Sequence, residues 1–271
     1  MTHISPQRIG LIGDAHGNLH FMRKAIKELT SRGVTELHVL GDFGFVWDGS
    51  QRDALKLKPI SLDLRKAGAT LYVTGGNHEG YTDLLKIEPD ASGLRWIRKN
   101  IALLPRGWRA ETVAGVRIAS LGGANSIDRF ERKPAVNGLA GSWWAEEQIT
   151  DGDLVDLGTA DTDILLGHDS PRSAALERKL LPNARMWNPK GLAYAHQGQQ
   201  MFHCGVVQTR PKLVVSGHYH LFLDVTETFE SPDGVGFDTR CVILNAEWAY
   251  PSIAVIDTDT LEFEFIRAIG D

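Results

Sequence analysis

Five short motifs in this chain each place a glycine directly before side chains that can bind a metal ion. In chain order they read GDAHGN, GDFG, GGNHE, GHDSP and GHYH, and each follows an apolar run. The metal-capable side chains that they offer are Asp14, His16, Asp42, Asn77, His78, Glu79, His168, His218 and His220. Carboxylate, imidazole and amide oxygen suit borderline to hard divalent ions such as Mn, Fe or Zn, and none of the motifs contains a cysteine. The motifs therefore favour a divalent-metal centre with oxygen and nitrogen ligands.

The last motif, GHYH, places two imidazoles two residues apart at what reads as the end of a strand. If the strand continues, His218 and His220 point to the same face, and if it has ended, both can still turn towards one point. Either geometry permits metal binding, but a pair of solvated turn histidines is an equally good interpretation of this motif alone. Asp and Asn also favour turns, so turn chemistry remains open for any single motif among the others.

The first ninety residues alternate predicted strands and helices. The runs RIGLIG, ELHVLG and TLYVTG predict buried strands, and helices are predicted from Asn18 to Arg32, around Ser61 to Ala67 and from Tyr81 to Ile87. This β-α-β-α-β-α order favours a parallel sheet with right-handed crossovers. Ligands of an open α/β sheet bind beyond the carboxyl ends of its strands, so the motifs are expected to converge on one edge.

Strand-like runs dominate the rest of the chain. They are RWIR, IALL, RAETVAGVRIASLGG, DILLG, KLVVSG, RCVILN, SIAVID and LEFEFIRA. The last three lie close together, with turn residues such as DTDT between them, which predicts an antiparallel tail. Residues 170–208 contain no clear strand and are interpreted as a helical or irregular excursion over a site. We therefore expect one domain over residues 1–271, with a cap or excursion at 170–208.

Composition and charge narrow the class of protein. The chain has 271 residues and a formal net charge of −5 without a basic block, which argues against general binding of nucleic acid. The N-terminal stretch lacks the basic start and apolar core of a signal peptide, and no apolar run approaches the roughly 20 residues of a membrane span. Cys204 and Cys241 are far apart and form no CxxC motif. We expect a cytoplasmic protein with reduced thiols and no membrane partner.

The series GDxHG, GD, GNHE, GH and GHxH, in this order from Asp14 to His220, resembles the calcineurin-like metallophosphoesterase superfamily. Each motif alone is a weak signal, whereas all five in order are a strong one. The resemblance implies an α/β fold in which two mixed β-sheets pack as a sandwich flanked by helices. The strand-rich second half of the chain agrees with that fold.

The resemblance also implies two divalent ions and assigns their ligands by motif. The ligands of the first ion would be Asp14, His16, Asp42 and His220. Those of the second ion would be Asp42, Asn77, His168 and His218, so the two histidines of GHYH would serve different ions. Manganese is the expected metal, with iron, zinc and nickel as alternatives. A hydroxide that bridges the ions would attack phosphorus, and His78, outside the ligand set, would donate a proton to the leaving oxygen.

The chain departs from the phosphoprotein phosphatase branch of that superfamily at two motifs. That branch carries GDxVDRG and RGNHE, whereas Phe45 and Val46 stand here at the Asp–Arg pair and Gly76 at the second arginine. Two guanidiniums that grip phosphate and a carboxylate that orients the catalytic histidine are therefore missing. This difference argues against a protein phosphatase and favours small phosphodiesters, because a dianionic monoester would lack its arginine clamp.

A segment that begins LGGANSIDRFERKP resembles one in small phage and bacterial metallophosphoesterases. In it, Asp128 is a candidate for orienting His78, and Arg129 is a candidate for contacting a phosphate oxygen. A charge-rich surface loop is an equal alternative for both residues. Asn18 either contacts phosphate or caps the helix that starts there. His196, in the excursion, is a further candidate for contact with substrate.

The resulting functional prediction is hydrolysis of small phosphoesters by a dinuclear metal centre, with phosphodiesters such as cyclic nucleotides favoured. A broad phosphomonoesterase or a Ser/Thr protein phosphatase is the second interpretation. A third is a protein-binding scaffold that has kept the fold and lost catalysis, although the intact GNHE motif and the full ligand set argue against it. A small phosphoester is the expected partner, and no stable complex with nucleic acid is expected.

Overall fold

The computed structural model describes residues 3–135 and 141–267 and divides their strands between two seven-stranded sheets. The strands are β1 (His3–Ser5), β2 (Arg8–Ile12), β3 (Glu36–Val39), β4 (Thr70–Val73), β5 (Arg95–Arg98), β6 (Ile101–Leu103), β7 (Trp108–Thr112), β8 (Arg117–Leu121), β9 (Ile164–Gly167), β10 (Leu213–Ser216), β11 (Leu223–Glu230), β12 (Gly236–Ile243), β13 (Ile253–Asp257) and β14 (Glu262–Ile266). The α-helices are α1 (Leu19–Ser31), α2 (Gln51–Ala67), α3 (Tyr81–Leu84), α4 (Asp151–Leu157), α5 (Ala174–Ala184) and α6 (Pro189–Thr209).

Both sheets are mixed, with parallel strands at their centres. Sheet 1 has the order β14-β13-β2-β3-β4-β6-β5, and sheet 2 has the order β1-β7-β8-β9-β10-β12-β11. In sheet 1, β2, β3, β4 and β6 run parallel, which confirms the sheet predicted from the first ninety residues. In sheet 2, β8, β9, β10 and β12 run parallel. Antiparallel pairings occur towards the edges of both sheets.

One apolar layer lies between the two sheets. It is formed by alternate residues of their central strands. Ile9 and Leu11 of β2 meet Ile164 and Leu166 of β9 there, and all four side chains are fully buried. Ile12 of β2 belongs instead to the core beneath α1 and α2, on the outer face of sheet 1. Because such strands are buried on both faces, they read as continuous apolar runs. The predicted sandwich with helices outside is confirmed.

Helices α4 and α6 cover the outer face of sheet 2. Leu157 of α4 and Phe202 and Val206 of α6 are fully buried against Leu121 and Val214 of the sheet. The excursion at residues 170–208 is helical and consists of α5 and most of α6. Within the described ranges, no helix combines the length and the apolar character that a membrane crossing requires.

Helix α2 is longer than the sequence-based prediction. It begins at Gln51, where the Ser50 side chain accepts from the backbone N–H of Asp53, and it runs through Pro59. Proline lacks a backbone donor and usually ends a helix, so Pro59 favours a helix that starts after it. The predicted helix near Ser61 is therefore only the second half of α2.

The tail of the chain contains one wrong assignment. β13 and β14 are antiparallel neighbours, as predicted, but β12 lies in sheet 2 and runs parallel to β10. Its antiparallel partner is β11, which has no counterpart in the sequence-based prediction. β11 reads LDVTETFE and exposes every second residue, as an edge strand with one solvent-exposed face does. Such a polar alternation is a weaker strand signal than a buried run.

Candidate metal centre

The five glycine motifs lie together where the carboxyl ends of the two sheets meet. Three of them follow β2, β3 and β4 of sheet 1, and two follow β9 and β10 of sheet 2. The expected convergence at strand ends is therefore present, but it involves two sheets and not the edge of one. In open α/β sheets, substrates and cofactors bind in this position, beyond the carboxyl ends of the strands.

One group of side chains brings four donors into a small volume. One ligand atom each from Asp14, His16, Asp42 and His220 lies within 4.8 Å of the others. His16 Nε2 is 3.3 Å from Asp42 Oδ2, and His220 Nε2 is 3.2 Å from Asp14 Oδ2. Asp14 also accepts the backbone N–H of His218 at 3.0 Å, which ties the first motif to the last.

A second group adjoins the first through Asp42. His168 Nε2 lies 2.9 Å from Asn77 Oδ1 and 3.2 Å from Asp42 Oδ1. The ring of His218 lies beside that of His168, with centroids 4.9 Å apart. Since Asp42 Oδ2 faces His16, the two oxygens of this single carboxylate face two different groups. The structure thus brings all seven predicted ligands together.

Four of these seven residues hold an unusual backbone conformation. His16, Asp42, His218 and His220 have φ angles of 44°, 48°, 71° and 50°, in the left-handed region. Non-glycine residues rarely adopt it, and each such residue costs on the order of 1 kcal/mol. Gly217 is required for a separate reason, because a Cβ at this position would lie 2.1 Å from Asp14 Oδ1. Strain concentrated in ligand-bearing loops is typical of a functional site.

The electrostatics of the cluster suit a cation. Burial would raise the pKa of Asp42, but the nearby His168 and His78 charges outweigh it and hold this pKa well below the usual range. Burial would lower the pKa of His168, yet the Asp42 charge raises it to about 10. The pKa of His16 is likewise raised to about 9, against burial, by its hydrogen bond to Asp42. Buried carboxylates therefore draw positive charge here, and the nitrogen and oxygen donors fit divalent metal ions.

The two central imidazoles are oriented by acceptors on their far side. His168 Nδ1 lies 2.8 Å from the carbonyl oxygen of Leu40, and His16 Nδ1 lies 2.8 Å from Glu247 Oε2. An N–H donated at Nδ1 leaves the lone pair of Nε2 directed at the cluster, as metal-binding histidines require. Glu247 follows β12 in the loop that ends at β13, and no local sequence signal marks it.

The Asn77 amide is oriented by two further residues that sequence reasoning missed. Ser126 Oγ lies 2.6 Å from Oε2 of the fully buried Glu147, which also accepts from two other side chains. Ser126 therefore donates its only hydroxyl proton to this carboxylate, and its lone pairs accept from Asn77 Nδ2 at 3.1 Å. The amide oxygen is thereby turned towards His168, where it can act as a ligand.

Replacing Ser126 with alanine is expected to weaken metal affinity by about 10–100-fold, the usual effect of losing an outer partner of a ligand. The Asn77 amide would lose the acceptor that fixes which of its ends faces the cluster. Calorimetric titration with Mn²⁺ would measure the change. Ser5→Ala is a matched control, because Ser5 is equally buried and donates to Glu36 at 2.7 Å, away from the cluster. Equal affinities in the two variants would contradict this role.

His78 lies beside the cluster but outside both groups. Its backbone N–H donates to Asp42 Oδ1 at 2.8 Å, while its ring Nε2 is 3.9 Å from Asp42 Oδ2. One-third of its side chain is exposed, and the Trp47 ring stacks near it at 6.4 Å between centroids. Glu79, the next residue, is buried and accepts the backbone N–H of Phe43, so it holds the neighbouring motif.

The LGGANSIDRFERKP segment contacts His78 through an arginine for which no role was predicted. Arg132 places a terminal nitrogen 2.6 Å from His78 Nε2, and its Nε forms an ion pair with Asp128 Oδ1 at 2.7 Å. Asp128 is thus linked to His78 through Arg132, and its orienting role stays a prediction. The guanidinium of Arg129 stacks over Trp143, 3.4 Å from the ring centroid, and its contact with a phosphate oxygen stays a prediction. The arginine that contacts His78 is Arg132, for which no role was predicted.

The remaining two predicted substrate contacts are Asn18 and His196. Asn18 caps α1, where its side chain accepts the backbone N–H of Phe21 at 3.1 Å. His196 is exposed on α6, on the opposite side from Tyr194 and Gly198, which contact Asn125. The structure does not bring His196 to the cluster, and substrate contact by either residue stays a prediction.

Comparisons with known proteins identify the family of this chain and support its fold. The sequence pattern of the calcineurin-like phosphoesterase family matches residues 7–222. A crystal structure of TT1561 from Thermus thermophilus is 11% identical, with a TM-score of 0.55 over 97% of this chain and 99% of that one. A dimetal phosphatase from Danio rerio is 12% identical, with a TM-score of 0.48 over 92% and 91%.

An archaeal phosphodiesterase is 15% identical, with a TM-score of 0.42 over 96% of this chain and 98% of that one. A search of curated proteins found no significant match. At such identities the TT1561 likeness shows the fold alone, whereas the family match spans every motif of the cluster. With carboxylates and imidazoles gathered at the matched strand ends, this chain belongs to the calcineurin-like phosphoesterase family and is a metal-dependent phosphoester hydrolase.

Proposed function

We propose that this chain hydrolyses small phosphodiesters, cyclic nucleotides among them, with two divalent ions. Asp14, His16 and His220 would hold the first ion, Asn77, His168 and His218 the second, and Asp42 both. When bound, such ions activate water and neutralise charge on the phosphoryl oxygens. One observation supports two ions. The two carboxylate oxygens of Asp42 face different groups, since Oδ1 lies beside His168 and Oδ2 lies beside His16. Manganese is the metal we expect, with iron, zinc or nickel as alternatives.

His78 would donate a proton to the leaving oxygen. Its ring is close enough to Asp42 to touch a group bound at the cluster, and its side chain is partly open to solvent. Burial lowers the pKa of His78, and the charge of the neighbouring Asp42 only partly opposes that shift. A phosphoester bound beside the ring would add a second anion and favour the protonated form.

The preference for diesters rests on positions 45, 46 and 76. Phe45 and Val46 are buried in the core beneath α1 and α2, so neither side chain faces the cluster. A Cβ at Gly76 would lie 2.3 Å from the backbone nitrogen of Asp42, which leaves no room for any side chain. These positions therefore cannot supply the two guanidiniums that a dianionic monoester would need. A monoanionic diester requires less positive charge.

Residues 170–208 would form one wall of the substrate pocket within a single domain. Leu176 of α5 packs beside Tyr219 and Leu221, next to the last motif. On the other side, the carbonyl oxygen of Tyr194 in α6 accepts from Asn125 at 2.8 Å, one residue before Ser126. The two helices thus flank the cluster, and such a wall would admit small esters and exclude folded proteins.

The test is a matched panel of phosphomonoesters and phosphodiesters, measured as kcat/KM on protein whose metal content has been determined. We expect faster hydrolysis of diesters, including cyclic nucleotides. A preference for monoesters or phosphoserine peptides would favour the broad monoesterase or the protein phosphatase instead. Two bound ions without turnover on any ester would favour the scaffold.

Cys204 and Cys241 are both free thiols, which supports the cytoplasm as the compartment.

A further inference from the structure

Arg132 carries its charge into a largely enclosed position beside His78. Its side chain is only 9% exposed, although it comes from the loop between β8 and α4. Its Nε forms an ion pair with Asp128 Oδ1 at 2.7 Å, and one terminal nitrogen donates to the carbonyl oxygens of both Asn77 and Ser142 at 3.4 Å. The other terminal nitrogen contacts the His78 ring. The guanidinium therefore has one strong partner and several weak ones.

The contact with His78 is a poor hydrogen bond. The same nitrogen of Arg132 is 2.6 Å from Nε2 and 3.5 Å from Nδ1 of the ring. The Nε2 lone pair points away from Nδ1, so a donor aligned with it would lie farther from that atom. Arg132 thus approaches to one side of that lone pair, and the bonds from its other terminal nitrogen to two carbonyl oxygens are long, at 3.4 Å.

An enclosed guanidinium whose terminal nitrogens make only long or poorly aligned hydrogen bonds is suited to an anion. Arginine prefers carboxylate or phosphate oxygens, which can accept from two of its N–H groups at once. The carboxylate of Asp128, one-third exposed, neutralises the charge of Arg132 from the Nε side. One terminal nitrogen of Arg132 is left directed at His78. His78 in turn is 3.9 Å from Asp42 and has its ring centroid 5.4 Å from that of His16. An anion held at the cluster and touching His78 would meet Arg132.

We propose that Arg132 is a specificity-determining residue whose terminal nitrogens donate to a phosphoryl oxygen of the substrate, with Asp128 as the residue that positions it. This inference rests on the proposed function and identifies the arginine that acts there. It supplies one guanidinium where the phosphoprotein phosphatase branch has two. One guanidinium matches the single negative charge of a diester.

Arg132→Ala is expected to keep its bound metal and to bind inorganic phosphate about 10–100-fold more weakly, as the loss of hydrogen bonds to a charged group predicts. Calorimetric titration of the metal-loaded protein with phosphate measures this directly. Arg132→Lys should recover part of the affinity, because it keeps the charge and loses the paired donors. Asp128→Asn should weaken phosphate binding in the same direction by a smaller factor.

Arg23→Ala is the matched control, since Arg23 donates from Nε to Asp63 at 2.6 Å on the outer face of α1. It should bind phosphate as the unaltered protein does. Unchanged phosphate affinity in Arg132→Ala would overturn the proposal, and so would loss of its bound metal, because Arg132 would then act on the metal ligands. If the unaltered protein hydrolyses no ester, the proposed function fails, and the phosphate titration still decides the role of Arg132.

Discussion

Replacing Asp42 with asparagine is expected to reduce the bound metal from two ions to about one per chain and to lower turnover by on the order of 10³-fold. The amide oxygen of asparagine can still face one ligand group, but its NH₂ cannot bind an ion in the other. Asp42 is 1% exposed and its two oxygens face different groups, so solvent cannot replace the lost ligand atom. Losing one ion removes several kcal/mol of charge stabilisation in the transition state, which corresponds to that factor.

Elemental analysis of the purified variant and steady-state kinetics on a diester would check both parts of this result. Asp163→Asn is the matched control, because Asp163 is also largely buried and pairs with Arg117 and Lys212 away from the cluster. It should lose stability without losing metal. Two ions and full turnover in Asp42→Asn would remove Asp42 as the shared ligand and, with it, the proposed two-ion centre.

Replacing His78 with alanine is expected to keep both ions and lower the rate by about 10²–10⁴-fold, the usual contribution of a general acid. The loss should depend on the leaving group. A ribose alkoxide leaves poorly without a proton, whereas a nitrophenolate leaves readily without help. The variant should therefore be most impaired on a cyclic nucleotide and less impaired on bis-nitrophenyl phosphate.

The measurement is kcat/KM for both diesters with the unaltered protein and the variant at equal metal content. His203→Ala serves as the control, since His203 is a half-buried imidazole beside Phe229, outside the cluster. Equal losses on the two leaving groups would show that His78 does not donate the proton and acts on binding alone. The metal site would be unaffected by that outcome.

The metal cluster was predictable because its signal is local. Each ligand follows a buried strand within a few residues, and a glycine marks the turn, so Asp14, Asp42 and His168 are visible without knowledge of the fold. The central strands were predictable for the same reason, since burial on both faces produces continuous apolar runs. The outer elements with polar faces, such as β11, carry a weaker pattern.

The residues that support the cluster were not predictable, because each reaches it across a long stretch of chain. Glu247 is 231 residues from His16, Ser126 is 49 residues from Asn77, and Arg132 is 54 residues from His78. No periodicity or turn motif connects such pairs. Arg129 and Arg132 are equivalent as sequence, and only the packing of the loop against Trp143 and His78 distinguishes them.

The division of the ligands between two sheets has a consequence for the order of folding. Asp14 accepts the backbone N–H of His218 across 204 residues, and its strand and the last motif's strand lie in different sheets. A chain still being synthesised can form β2, β3 and β4 with their helices early, because these contacts are local. His168, His218 and His220 follow strands of sheet 2 and come later in the chain. A partly made chain that ends before them therefore holds the first three motifs without a complete set of the proposed metal ligands.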